Sequence, residues 1–173
     1  MTDFNKLLTP GDIDAGVVNT VVEISEGSIL KIEYRRDTAT FELDRVEPAT
    51  FPKPTNYGFI PGTFDGDGDE LDTLIVCAEK LPTGIHLAGR VVGIMNFEDD
   101  GEVDHKVIIA TDKTTKSIED LGPEWKTKVT DHFTHYKDHK KPGTTIVKGW
   151  GDVEEAKKVI RECIERFQSS SSK

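Results

Sequence analysis

VVNTVVEISEGSILKIEYRRDTATFELD, residues 17–44, decides the fold class. Residues 17–25, 29–36 and 39–44 are rich in Val, Ile, Tyr, Phe and Thr, so they predict three strands. The short gap at Asp37-Thr38 predicts a hairpin turn. Downstream, residues 46–63 carry Pro48, Pro52, Pro54, Pro61, Gly58 and Gly62 and predict a mostly irregular segment. Further strands are expected at 72–78, 89–97 and 103–110, the last two joined by an acidic turn at Gly101. The C-terminal third changes period. Trp125, Val129, Phe133 and Tyr136 follow Pro123 at helical spacing, and Pro142-Gly143 ends that helix. Residues 144–147 read as a short strand. Asp152 and Glu155 form a capping-box pattern ahead of a stripe from Val153 through Ala156, Val159, Ile160, Cys163 and Ile164 to Phe167. Strands followed by two helices predict an α+β fold, a small antiparallel barrel packed by helices.

The 173 residues suit a single domain over 1–173, with 169–173 as a frayed tail. Lys plus Arg number 22 and Asp plus Glu 32, a net charge of −10 that repels a nucleic-acid backbone. No apolar run reaches the ~18–20 residues of a membrane span, and no secretory signal is visible. Cys77 and Cys163 form no CxxC and read as small apolar groups in a reducing, cytoplasmic setting.

Chemistry concentrates at Asp65-Gly66-Asp67-Gly68-Asp69-Glu70-Leu71-Asp72, where five carboxylates fall within eight residues. Like charges this close repel unless a cation neutralises them, and hard oxygen donors suit Mg²⁺, Mn²⁺ or Ca²⁺. An EF-hand loop fails, because Glu70 stands in place of the turn glycine and Val76 in place of the bidentate Glu. A second cluster runs from Glu98 through Asp99 and Asp100 to Asp104. Asp104 and Lys106 share a strand face, as do Lys31 and Glu33. A face carrying both carboxylate and ammonium suits metal and phosphate side by side. Read singly, Arg45, Tyr57, Tyr136 and Lys137 have ordinary structural explanations. His132, His135 and His139 read as a polar helix face, not a zinc site.

Together these segments resemble a known family. DGDELDTL (67–74) is similar to the Asp-x-Asp-x-x-Asp motif of soluble family I inorganic pyrophosphatases. VVEISEGSILKIE (21–33), Asp44-Arg45, NYGFIPGT (56–63), the Asp99…Asp104-x-Lys106 segment and HFTHYKD (132–138) occur in the family's order, covering about residues 17–168. The resemblance implies a five-stranded OB-like barrel with flanking helices, and Mg-dependent hydrolysis of pyrophosphate by direct attack of water. It also implies several Mg²⁺ per site, with Mn²⁺ or Zn²⁺ as substitutes, a cytoplasmic location and a homohexamer. Carried over, Asp67, Asp72 and Asp104 hold the tightest ion, and Asp72 shares a second. Asp99 and Asp104 serve an ion arriving with substrate, and Glu33 a further one. Asp69 is the general base and Glu23 supports the site. Lys31, Arg45, Tyr57, Lys106, Tyr136 and Lys137 bind phosphate. One departure is Lys53, which stands where the family commonly has a tyrosine. The rival reading is a non-enzymatic Ca²⁺-binding module. An oligonucleotide-binding barrel is a weaker rival, since the charge has the wrong sign.

Overall fold

The computed structural model describes residues 3–171. A one-turn helix α1 (Phe4–Leu7) precedes β1 (Gly11–Asp12), β2 (Val17–Ile24), β3 (Leu30–Arg35) and β4 (Thr40–Val46). Next come β5 (Asn56–Phe59), β6 (Asp72–Val76), the long β7 (His86–Asp99), β8 (Glu102–Val103) and β9 (Lys106–Ala110). Helix α2 (Gly122–His135), β10 (Thr145–Gly151) and helix α3 (Val153–Ser171) complete the chain.

Five strands close a ring: β2 pairs with β5, β5 with β6, β6 with β9, β9 with β7, and β7 returns to β2. β10 extends one side of this ring, and β3 and β4 form a separate hairpin. The ring is antiparallel except at one seam, where β6 and β9 run parallel. It is therefore a mixed sheet, not an antiparallel barrel throughout. That seam places Asp72 directly beside Lys106 on one face. The β2–β5 crossing depends on Gly58, where an added Cβ would lie 2.0 Å from the Val21 carbonyl oxygen. Two backbones can approach that closely only at glycine.

The two long helices cover opposite parts of the ring. Ala156, Ile160 and Cys163 of α3 are fully buried against Val18, Ile94 and Ile109, and Val153, Val159 and Ile164 pack beside them. The 3.6-residue period of that stripe is why the segment folds as a helix here. The fully buried Ile160 contributes roughly 1.5–3 kcal/mol. At its start the Asp152 carboxylate accepts from the Glu155 amide at 2.9 Å, whereas the Glu155 carboxylate is drawn away to Asn96. The capping box is thus half formed. The tail expected from 169 is helical as far as Ser171, and 172–173 lie outside the described residues. Helix α2 buries Val129 and Phe133, and Trp125 meets Trp150 with ring centroids 5.7 Å apart. His132 is buried and stacked on Tyr136, so it does not belong to a polar face; His139 lies beyond the helix end.

Candidate active site

A cavity of about 540 Å³ opens between the ring, the β3–β4 hairpin and the end of α2. Its wall includes every sequence-nominated metal ligand, Asp67, Asp72, Asp99, Asp104 and Glu33, together with the nominated base Asp69. Glu23, Lys31, Tyr57, Lys106, Tyr136 and Lys137 line it too. Arg45 does not. Its guanidinium is held by Asp44 at 2.5 Å and by Glu47 at 2.7 Å. It faces a smaller adjoining recess whose wall it shares with Lys137.

The acidic loop owes its shape to its own short side chains. The Asp69 amide donates to Asp67 Oδ1 at 3.0 Å, and the Asp65 amide to the Asp69 carbonyl at 2.7 Å. The first is an Asx turn, which favours Asp, and the second is a backbone bond that closes the loop. Arg36, which sequence reasoning missed, clamps the loop from outside. Its Nε donates to Glu70 at 2.8 Å and its Nη2 to the Gly68 carbonyl at 3.0 Å, while the guanidinium lies 4.2 Å from the Phe64 ring centroid. Asn5 donates to the same Glu70 oxygen at 2.5 Å.

Strand register brings the remaining groups together. Lys106 Nζ donates to Asp72 at 2.5 Å and also to Asp104, two residues back on the strand approach. Tyr57, two residues along β5 from the Phe59–Asp72 pair, donates its hydroxyl to Asp72. Across the cavity Lys137 binds Asp99, and the Tyr136 hydroxyl reaches the same carboxylate at 3.4 Å. Lys31 pairs with Glu33 on the hairpin.

Crowding shifts the titrations. Burial opposes charge on Lys106, but Asp72 and Asp104 outweigh it and raise its pKa. Burial, then Asp72 against the relief from Lys106, raises the Asp104 carboxyl. Asp69 is exposed along much of its length, yet partial desolvation at the wall, then Asp67 and Glu70, raise its carboxyl. Glu23 is raised well above the ordinary range by burial and then by Asp72. Burial and neighbouring carboxylates keep both phenols protonated, Asp72 acting on Tyr57 and Asp99 on Tyr136.

These donors fit hard divalent cations. The cavity wall carries carboxylates and neither histidine nor cysteine. Asp99 Oδ1 is buried without a hydrogen-bond partner, an acceptor facing a site that favours positive charge. Among the described residues no three such side chains converge on one point, and the Lys106 ammonium is wedged between Asp72 and Asp104.

Residues 20–168 match the family model described as inorganic pyrophosphatase. An inorganic pyrophosphatase of Neisseria meningitidis serogroup B is 55% identical over 99% of this chain and 100% of its own length. That of Haemophilus influenzae is 56% identical over 96% of this chain and 98% of its own. The crystal structure of an inorganic pyrophosphatase from Neisseria gonorrhoeae superposes with a TM-score of 0.93 at 54% identity, covering 96% of this chain and 99% of that one. Similarity of sequence and fold over the full cavity-forming scaffold leads to one conclusion: the chain belongs to the inorganic pyrophosphatase family.

Proposed function

We propose that this cavity is where the chain carries out the family's reaction, hydrolysis of pyrophosphate to two phosphates, and that its residues divide the work as follows. The observation that carries the reading is the convergence of Asp67, Asp69, Asp72, Asp99 and Asp104 with Lys31, Lys106 and Lys137 on one cavity wall. Asp67, Asp72 and Asp104 would hold the tightest Mg²⁺, Asp72 would share a second ion, and Asp99 and Glu33 would serve ions on the substrate side. When bound, the ions neutralise phosphate charge and acidify a water. Asp69 takes the proton as water attacks phosphorus and the bridging P–O bond breaks; its raised carboxyl is a better acceptor than an ordinary aspartate. Lys31, Lys106 and Lys137 neutralise phosphate oxygens, and Tyr57 and Tyr136, kept protonated, donate to them. Arg45 acts from the adjoining recess, beside Lys137. Glu23 supports the wall by accepting from the Tyr34 amide at 2.7 Å.

Replacing Lys137 separates phosphate binding from metal binding, because it lies on a segment remote from the acidic loop. Lys137→Ala is expected to raise the KM for pyrophosphate ~10–100-fold, the usual scale for a charge-assisted contact. Mg²⁺ titrated without substrate should bind within ~3-fold of the unaltered protein. A large loss of Mg²⁺ affinity would overturn the assignment.

We further propose a single-domain, cytoplasmic protein that assembles as a homohexamer. Among the described residues no helix is long and apolar enough to cross a membrane. Cys77 and Cys163 are free. The exposed Leu43, Val46 and Ile146 supply apolar surface for partner copies. Cell fractionation tests the location. A sedimentation mass near 19.2 kDa would contradict the hexamer.

A further inference from the structure

Lys53 is the lysine in the cavity wall that the division of labour above leaves without a task. It lies between Pro52 and Pro54, in a segment whose prolines hold the backbone extended. Its amide donates to the Ser28 carbonyl and its carbonyl accepts from the Gly27 amide, both at 2.9 Å. The turn between β2 and β3 therefore fixes its backbone on both sides. The side chain passes inward and lines the cavity wall, and the residue is only 8% exposed.

The ammonium sits among three rings. It is 4.5 Å from the Tyr57 ring centroid, 5.5 Å from Phe133 and 5.6 Å from Tyr136. The described residues provide it with no ion-pairing carboxylate, unlike Lys31, Lys106 and Lys137. Aromatic faces recover part of the cost of desolvating a cation, but less than a paired anion does. Burial, then repulsion from Lys106 and Lys31, lowers its pKa to about 8, so it is charged at neutral pH in a place that disfavours charge. A buried cation facing other cations across a cavity lacks one thing, an anion in that cavity.

We propose that Lys53 is a further substrate-binding residue, a fourth ammonium that donates to a pyrophosphate oxygen from the aromatic wall. The inference rests on the hydrolase reading of the cavity and adds a contact to it. The geometry also gives Lys53 a fixed approach. Its ammonium lies over the Tyr57 and Phe133 rings, which places it on the side of the cavity that those rings line. Among the cavity lysines it meets substrate without first breaking an ion pair to a carboxylate.

The test compares the unaltered protein with Lys53→Met and Lys53→Arg. Three quantities are read: KM and kcat for pyrophosphate at fixed Mg²⁺, the affinity for magnesium imidodiphosphate, a non-hydrolysed analogue, and the affinity for Mg²⁺ alone. Lys53→Met is expected to raise KM and to weaken analogue binding ~10–100-fold. Arginine should recover most of that loss, and Mg²⁺ alone should bind within ~3-fold throughout. Analogue binding by Lys53→Met equal to that of the unaltered protein, or an arginine variant no better than methionine, would overturn the proposal while leaving hydrolysis by the unaltered protein intact. Failure of the unaltered protein to hydrolyse pyrophosphate would instead sink the reading beneath it. Should the methionine variant not fold, the structure of the unaltered protein with magnesium imidodiphosphate decides: Lys53 Nζ is expected within ~3.2 Å of a phosphate oxygen, and a separation beyond ~4 Å would overturn the assignment.

Discussion

Asp69→Asn is expected to lower turnover by ~10²–10⁴-fold at saturating Mg²⁺ and pyrophosphate, the usual cost of losing a positioned general base. The amide nearly keeps the shape of the carboxylate and can still accept a hydrogen bond. It cannot take a proton from water at neutral pH. Metal affinity should fall only moderately, because Asp67, Asp72 and Asp104 remain. The substitution also removes one negative charge from a crowded acidic loop. The residual rate should move to higher pH, since water must then lose its proton without a side-chain acceptor. The pH–rate profile of the variant, set beside its Mg²⁺ titration, checks both parts. A rate within a few-fold of the unaltered enzyme and an unmoved profile would remove Asp69 from the role of base.

Lys106→Met should have the largest effect on stability, and the effect should depend on metal. The Lys106 side chain is 3% exposed and neutralises Asp72 and Asp104, which are 22% and 21% exposed. Removing one partner of a buried charge cluster typically costs ~3–5 kcal/mol. The partial exposure of both aspartates favours the lower end. The sign follows from the titration. Lys106 is raised in the folded protein, so its contribution is complete below the unfolded lysine value and fades only as pH climbs through the folded one. The loss is therefore fully present at neutral pH. It should shrink in acid, as the raised Asp104 carboxyl takes up its proton and no longer needs a counter-charge. Mg²⁺, binding the folded state, should restore much of the stability. Urea unfolding in chelator and in excess Mg²⁺ measures this. Equal losses under both conditions would show that Lys106 contributes through packing alone.

Much of this site is legible in the sequence because its ligands are local. Asp67, Asp69 and Asp72 lie within one loop and the start of one strand, and a dense carboxylate run has few explanations besides a cation. The α3 stripe is equally plain, since burial on one helical face imposes its own period. Other features depend on partners distant in the chain. Strand β5 hides in a segment full of proline and glycine, where local propensity is poor and pairing with β2 and β6 supplies the order. The parallel β6–β9 seam leaves no local mark, because a buried strand has the same composition whichever way its neighbour runs. Arg45 is different: its captors Asp44 and Glu47 are close in the chain, but that they hold it at a side recess and not at the main cavity is settled only on folding. Lys53 stood out by its departure from a tyrosine, but its burial among three rings needed Tyr57, Phe133 and Tyr136 to be brought together. Arg36 gave no signal at all, since its role arises from the loop it grips 32 and 34 residues away.

The most direct measurement is phosphate release from pyrophosphate by the unaltered protein, with Mg²⁺ and again after chelation. The carboxylate wall predicts rapid conversion of each pyrophosphate to two phosphates with Mg²⁺, and loss of that conversion when chelator removes the ion. Undiminished hydrolysis in metal-free buffer, or cation binding with no hydrolysis at all, would contradict the account.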